Sequence, residues 1–243
     1  MQSPRYAIYF TPKSSTPLAQ FGASVLGYDA SAGKTVPHIV LKHVTAAELA
    51  AGTRAPRTYG FHATLVAPFY LNGSFQEMDL VQALGAFCHQ SAPARLGFLQ
   101  VNALGDFIAL IPAVSAMIDS LARNCVTFFD SFRAPLSPQD LVRRSNGRLT
   151  PRQQGYLERW GYPYIFEDFR FHMTLTGALG PDEKLRFLGA LTEAFAPLAD
   201  QSHTIDAISL VRQADPRSRF EVIARKDLAR HCTIGPLEPR KAR

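Results

Sequence analysis

The sequence predicts an α+β fold of two lobes related by a pseudo-twofold axis, each an antiparallel sheet with helices packed outside, around a central groove. Three observations predict it. Phe61-His62-Ala63-Thr64-Leu65 recurs as Phe171-His172-Met173-Thr174-Leu175, an offset of 110 residues. The order of strand-like and helix-like segments around the two copies repeats at nearly the same offset. Apolar residues make up 47% of the 243-residue chain and charged residues 19%, a balance that lets it bury a sizeable core.

Arg5 to Thr11 is an aromatic and apolar run ended by Pro12, which reads as a strand. Pro17 to Leu26 reads as a helix stopped by Gly27, and residues 29 to 44 show no period and read as loop. Thr45-Ala-Ala-Glu48 is a capping box that opens a short helix ended by Gly52. Thr58 to Val66 reads as the strand carrying the first motif, limited by Pro68. Ser74-Phe-Gln-Glu77 reads as a second capping box, opening a helix with Leu80, Leu84, Phe87 and Cys88 at helical spacing. Leu96 to Ala103 and Asp106 to Ile111 read as a hairpin about Gly105. A helix from Ala113 to Phe132 follows, with Met117, Leu121 and Phe128 as expected core contacts.

Residues 133 to 168 differ in composition. Ser137-Pro138 and Thr150-Pro151 each read as an N-cap with proline at the first helical position. Arg143, Arg144, Arg148, Arg152 and Arg159 make the segment cationic, and an aromatic stretch from Tyr156 to Phe169 ends it. It reads either as a lid or substrate-facing insertion, or as a solvated helical hairpin. Phe169 to Thr176 is the strand of the second motif. Asp182 to Leu198 is a helix with Leu185, Leu188, Leu191 and Phe195 as its core stripe. Thr204 to Arg212 and Phe220 to Arg225 are strands joined by a turn rich in Asp, Pro and Ser.

Each motif is preceded by a strand and a helix and followed by a helix and two strands. The repeat is therefore a duplicated α+β unit, although identity between the halves is low outside the motif. The expected organisation is a single bilobal domain over residues 1–230, with halves near 1–105 and 106–230 between which strands are free to exchange or not. A basic tail, 231–243, follows.

The net charge is +6. Arg225, Lys226, Arg230, Arg240, Lys241 and Arg243 carry part of it, and a basic surface favours anionic partners. Three widely spaced cysteines, Cys88, Cys125 and Cys232, with no Cys-x-x-Cys, argue against a disulfide framework and fit a reducing compartment. The first residues lack a basic stretch followed by an apolar one, and no run approaches the ~18 apolar residues of a membrane span. A cytoplasmic monomer with no membrane partner is the expectation.

In a strand, residues i and i+2 face the same way. His62 and Thr64 therefore project together, as do His172 and Thr174, each an imidazole paired with a hydroxyl. Imidazole titrates near neutral pH, so one histidine can act as base while the other acts as protonated acid. Two hydroxyls can hold the non-bridging oxygens of a phosphodiester as charge develops. Arg170 shares the face of His172 and is a candidate phosphate ligand; its counterpart is Gly60. The other reading of Arg170 is a surface arginine paired with Asp168 or Glu167. Tyr59 alternates away from His62 and reads as packing.

His38, His43, His89, His203 and His231 lack such partners and read as structural or exposed. No His-x-His, His-Glu-x-x-His or carboxylate cluster points to a metal, and no cofactor is expected. The chain has no Gly-x-x-x-x-Gly-Lys phosphate loop, no Rossmann glycine fingerprint and no Gly-x-Ser-x-Gly elbow.

The paired motifs resemble the two-histidine phosphoesterase superfamily, whose mark is one His-x-Thr/Ser unit per lobe. The resemblance covers residues 5 to 226. A closer likeness, to a branch associated with phosphonate metabolism, rests on Arg5-Tyr-Ala-Ile-Tyr-Phe10, Tyr59-Gly-Phe-His-Ala-Thr-Leu65, Phe132-Arg-Ala-Pro-Leu136, Arg159-Trp-Gly-Tyr-Pro-Tyr164 and Phe169-Arg-Phe-His-Met-Thr-Leu-Thr-Gly177. The resemblance implies that His62 and His172 are acid and base, with no assignment between them, and that Thr64 and Thr174 bind phosphate. It implies a metal-independent cyclic phosphodiesterase acting on a small phosphorylated substrate, a cyclic nucleotide or a cyclic phosphoribose. Many relatives carry lysine where this chain has Val66, so one phosphate-facing cation is missing here. The alternatives are 2′-5′ ligation or processing of RNA ends, and a non-catalytic protein that binds a phosphorylated ligand.

Overall fold

The computed structural model describes residues 3–112, 116–145 and 149–229. The expected helix start at Ala113, Arg148, Arg230, His231, Cys232 and the basic tail lie outside the described residues. In chain order the elements are β1 (Arg5–Phe10), α1 (Pro17–Leu26), the short β2 (Tyr28–Asp29) and β3 (Lys34–Thr35), α2 (Ala46–Gly52), α3 (Arg54–Arg57), β4 (Ala63–Tyr70) and α4 (Glu77–His89). Then come β5 (Ala94–Gly97), β6 (Leu99–Leu104), β7 (Phe107–Pro112), α5 (Ala116–Phe129), α6 (Pro138–Arg144), α7 (Pro151–Trp160), β8 (Met173–Thr174), α8 (Pro181–Ala199), β9 (His203–Ile205), β10 (Ala207–Gln213) and β11 (Glu221–Asp227).

Helices and antiparallel sheets mix as the α+β reading requires. The first sheet has the order β11-β10-β1-β4, the second β6-β7-β8, and β5 pairs with β9. Each motif strand pairs with the strand that opens its half: β4 with β1, and β8 with β7. The other strands of these two sheets come from the opposite half of the sequence, while β2 and β3 pair with each other. β10 and β11, from the end of the chain, complete the first sheet, and β6, from the first half, completes the second.

Strand alternation divides β1 between two faces. Tyr6, Ile8 and Phe10 join Ala63, Leu65 and Phe69 of β4 in the main core. Leu84 and Phe87 of α4, Phe129 of α5, and Phe187, Leu191 and Phe195 of α8 fill the same core, so both halves share it. Each such side chain, fully buried, contributes about 1.5–3 kcal/mol. Ala7 and Tyr9 face the other way, against Val211 and Phe220. That second face carries the site. Among the described residues, no helix is long and apolar enough to cross a membrane.

Several elements differ from the sequence reading. The strand expected from Thr58 starts only at Ala63, because residues 58–60 continue tight turns from α3 and Gly60 takes a left-handed φ of 73°. Pro68 does not limit β4. The strand lies at the sheet edge, where a missing N–H costs no ladder bond, and a register irregularity between Tyr6 and Ile8 falls opposite it. The Ser74 capping box gives way to one between Gln76 and Asp79. The run at 96–103 breaks into β5 and β6 at Gly97, which has φ 71°. The expected strand 169–176 is laddered only over Met173–Thr174. The loop at 29–44 contains β3 and part of its pairing with β2. Met117 and Leu185, expected in the core, are 53% and 68% exposed; Ile118 and Phe187, one and two positions on, are buried instead. The caps at Thr45, Ser137 and Thr150 form as read.

Candidate active site

Local backbone chemistry fixes His62 before any partner is considered. At Gly60 a Cβ would lie 2.5 Å from that of Ala30, and at Gly22 of α1 it would lie 2.0 Å from the Phe61 ring. Only glycine permits the turn at 60 and the close seating of Phe61 on α1. Phe61 is thereby buried, and His62 emerges on the opposite side of the strand.

The Gly60 carbonyl accepts a hydrogen bond from His62 Nδ1 at 2.8 Å. A carbonyl can only accept, so the proton of the neutral ring sits on Nδ1 and Nε2 keeps its lone pair. The Thr64 hydroxyl donates to that Nε2 at 3.1 Å. Beneath the ring, Tyr9 stacks at a centroid distance of 3.8 Å and an interplanar angle of 23°. Tyr59 lies 6.2 Å from His62 and stacks on Phe220 at 5.3 Å, a packing role on this same face.

His172 repeats the arrangement. Its Nδ1 donates to the carbonyl of Arg170 at 2.7 Å, again two residues back. In both imidazoles the carbonyl bond occupies Nδ1 and leaves Nε2 as the other ring nitrogen. Phe107 of β7 flanks His172, with ring centroids 5.7 Å apart. Thr174 stands on β8 two residues on, partly exposed like His172. β4 and β8 touch, so the two motifs meet where the sheets adjoin.

The electrostatics of the pair are unequal. Burial pushes the His62 pKa down to about 4. The nearby His172 lowers it further, while the bond to Gly60 acts in the opposite sense. His62 is therefore neutral at pH 7, with an unprotonated Nε2: the protonation state of a base.

The arginine-rich segment folds along β4. Ala134 N–H donates to Tyr70 O, and Asn72 N–H to Phe132 O, both at 2.8 Å. Most of its arginines serve structure. Arg133 and Arg159 pair with Asp130, Arg143 with Asp140 and Arg152 with Asp168. Glu167 pairs with Arg123. Both acids that the sequence offered Arg170 are thus engaged elsewhere. The Arg170 side chain is exposed, and among the described residues it has no ion-pair partner. Its main-chain carbonyl, not its charge, is what touches the motif.

Sequence reasoning missed the two carbonyl anchors, Tyr9, and Arg144, whose guanidinium reaches Pro68 O on β4. Tyr9 was legible in part, since it alternates with the core residues of β1. Among the described residues, no group of three or more His, Cys, Asp or Glu is placed to hold a metal ion.

The two His-x-Thr units lie on adjoining strands. Among curated proteins, the chain is 40% identical over 221 residues to a protein of Janthinobacterium sp. (strain Marseille) named ribose 1,5-bisphosphate phosphokinase PhnN, covering 89% of this chain and 49% of that protein. It is 32% identical over 176 residues to a protein of the same name from Laribacter hongkongensis (strain HLHK9), covering 72% and 40%. The chain thus spans about half the length, or less, of these relatives. Among solved structures, TT0787 of Thermus thermophilus aligns at TM-score 0.45 and 15% identity, over 92% of this chain and 97% of that one. E. coli LigT complexed with 3'-AMP aligns at TM-score 0.41 and 13% identity, over 93% and 99%. A family profile, described as protein of unknown function (DUF1045), matches residues 64–221, about two thirds of the sequence, and the chain belongs to that family.

Proposed function

We propose that the protein is a metal-independent phosphodiesterase that opens a small cyclic phosphate, with His62 as general base and His172 as general acid. The observation that carries this reading is the matched pair of imidazoles. Each is fixed by an Nδ1–H bond to the carbonyl two residues back, and one is held neutral by burial.

In the proposed step, His62 Nε2 takes a proton from water as the water oxygen bonds to phosphorus. The P–O bond to the ring oxygen on the far side breaks. His172 Nε2–H gives its proton to that departing oxygen. The product is a phosphomonoester beside a free hydroxyl, and proton exchange with solvent resets both rings. The Thr64 and Thr174 hydroxyls donate to the non-bridging oxygens, so Thr64 exchanges its bond to Nε2 for one to phosphate.

The relatives support a cyclic phosphoribose over a cyclic nucleotide. They are named for a kinase of ribose 1,5-bisphosphate and are about twice as long as this chain. This chain carries no Gly-x-x-x-x-Gly-Lys phosphate loop, so the named kinase activity fits the rest of those proteins. A 1,2-cyclic phosphate of ribose 5-phosphate, opened by breaking the bond from phosphorus to O2, yields ribose 1,5-bisphosphate. One half would then make what the other consumes. The RNA reading loses much of its motive, because most arginines of the 133–168 segment are bound to carboxylates.

The test is turnover of the 1,2-cyclic phosphate of ribose 5-phosphate, and of 2′,3′-cyclic nucleotides, in the presence of EDTA. Turnover by wild type with a loss of roughly 10²–10⁴ in each single histidine variant is expected. Undiminished turnover by the His62→Ala, His172→Ala double variant would refute the assignment.

A further inference from the structure

Arg144 has no ion-pair partner among the described residues, whereas Arg133, Arg143, Arg152 and Arg159 of the same segment each hold a carboxylate. Two main-chain carbonyls hold it instead, Gly161 O through Nη1 and Pro68 O through Nη2, both at 2.5 Å. A guanidinium fork has five N–H donors, so these bonds aim the group without exhausting it. Half-burying a cation against neutral carbonyls costs free energy that a carboxylate would offset, and at Arg144 that cost is not offset by an ion pair with any described residue.

Arg5 of β1 is in the same condition. Its Nε and Nη2 both donate to Gln213 Oε1, at 2.8 and 2.5 Å. Gln213 is itself buried and oriented by its amide bond to Ser218 O at 2.8 Å. Arg5 also has no ion-pair partner among the described residues. Arg5 and Arg144 both lie close enough to the Tyr9 hydroxyl to act on it electrostatically, as do Tyr59 and Tyr162. The Tyr162 ring centroid is 6.0 Å from the Arg144 guanidinium carbon. None of these three tyrosyl hydroxyls has a hydrogen-bond partner among the described residues.

Register places the two cations at one end of the groove face. Tyr9 opposes Thr64 and Arg5 opposes Tyr70 on the antiparallel pair β1–β4. Pro68, which anchors Arg144, is four residues past Thr64 on the same face. At a rise of about 3.3 Å per residue the anchor lies ~13 Å along the strand from the motif threonine, and both guanidinium groups lie within electrostatic range of Tyr9, which opposes Thr64.

We propose that Arg144, Arg5 and the Tyr162 hydroxyl bind a second phosphate of the substrate, a phosphomonoester carried about one sugar away from the phosphate that is opened. The proposal rests on the functional reading above and assigns residues to the phosphate of that substrate which is not opened. It also compensates for Val66: the cation absent from β4 is supplied by a different part of the chain.

The experiment uses ribose 1,2-cyclic phosphate with and without a 5-phosphate. Wild type is expected to favour the 5-phosphorylated form by about 10- to 100-fold in kcat/KM, the worth of charge-assisted hydrogen bonds to one phosphate. Arg144→Gln and Arg5→Gln should each shrink that ratio toward one. A wild type with no preference, or variants that lose both substrates equally, would overturn the proposal. Calorimetry with ribose 5-phosphate as the probe gives a second readout. Binding by wild type that weakens at least tenfold in both variants supports the subsite even if no cyclic phosphate is turned over, in which case only the catalytic reading fails. Undiminished binding in the variants overturns the subsite whatever the turnover. Should Arg144→Gln lose its native circular dichroism, Arg5→Gln decides both measurements.

Discussion

His62 ties the chemistry of the site to the stability of the protein, and the size of the link can be worked out. In the folded chain its pKa is held at about 4, mainly by burial; in the unfolded chain it returns to the ordinary value of 6.5. Between those values the unfolded state binds more protons, so stability is lost as pH falls from 6.5 toward 4 and no further below. From these two pKa values the penalty is near zero at pH 7 and about 2–3 kcal/mol at pH 4.5. Urea denaturation followed by circular dichroism at the two pH values, on wild type and His62→Gln, isolates it. Other titrating groups are common to both proteins and cancel in the difference. The advantage of wild type over the variant, whatever it is at pH 7, should shrink by about 2–3 kcal/mol at pH 4.5. A difference that stays constant within about 0.5 kcal/mol would show that His62 titrates normally. It would also remove the reason for assigning it the base.

Replacing Thr64 by Val should lower kcat by roughly 10²–10³ while leaving the melting temperature within a few degrees, since the hydroxyl acts on developing charge. Gly60→Ala forces a left-handed φ on a residue with a Cβ and drives it into Ala30. A loss of about 1–2 kcal/mol in thermal unfolding is expected, with activity falling as the carbonyl that orients His62 shifts. Gly22→Ala sets a methyl inside the Phe61 ring, and the overpacking should cost about 1–3 kcal/mol, measurable by the same melt.

The His-x-Thr pair was legible because strand alternation is a one-dimensional property: positions i and i+2 share a face wherever the chain is extended. It held for His62 and Thr64 even though the strand begins later than the sequence implied. The helix caps at Thr45, Ser137 and Thr150 were legible for a similar reason, since the capping side chain and its target amide lie within one turn. Pro68 misled because its cost depends on whether the strand is central or at an edge, which only the sheet order decides. Met117 and Leu185 misled because a helical stripe fixes a spacing but not its phase against the core. Arg144 was one of several cationic side chains in its segment. What distinguishes it is that no described carboxylate pairs with it, a fact about neighbours distant in sequence such as Pro68.

The exchanged strands bear on how the chain is made. When β1 and β4 leave the ribosome, the only sheet they can form is a two-stranded ribbon, and such ribbons are marginal in water. The central neighbour of β1 is β10, at residues 207–213, so the sheet that holds His62 closes only after that distant strand has been synthesised. The second sheet waits for nothing comparable, since β6 and β7 form a local hairpin and β8 follows. His172 is therefore supported first and His62 last. A chain cut short before β10 would carry both motifs yet lack the sheet that holds one of them, and synthesis of residues 207–213 becomes a step in assembling the candidate site.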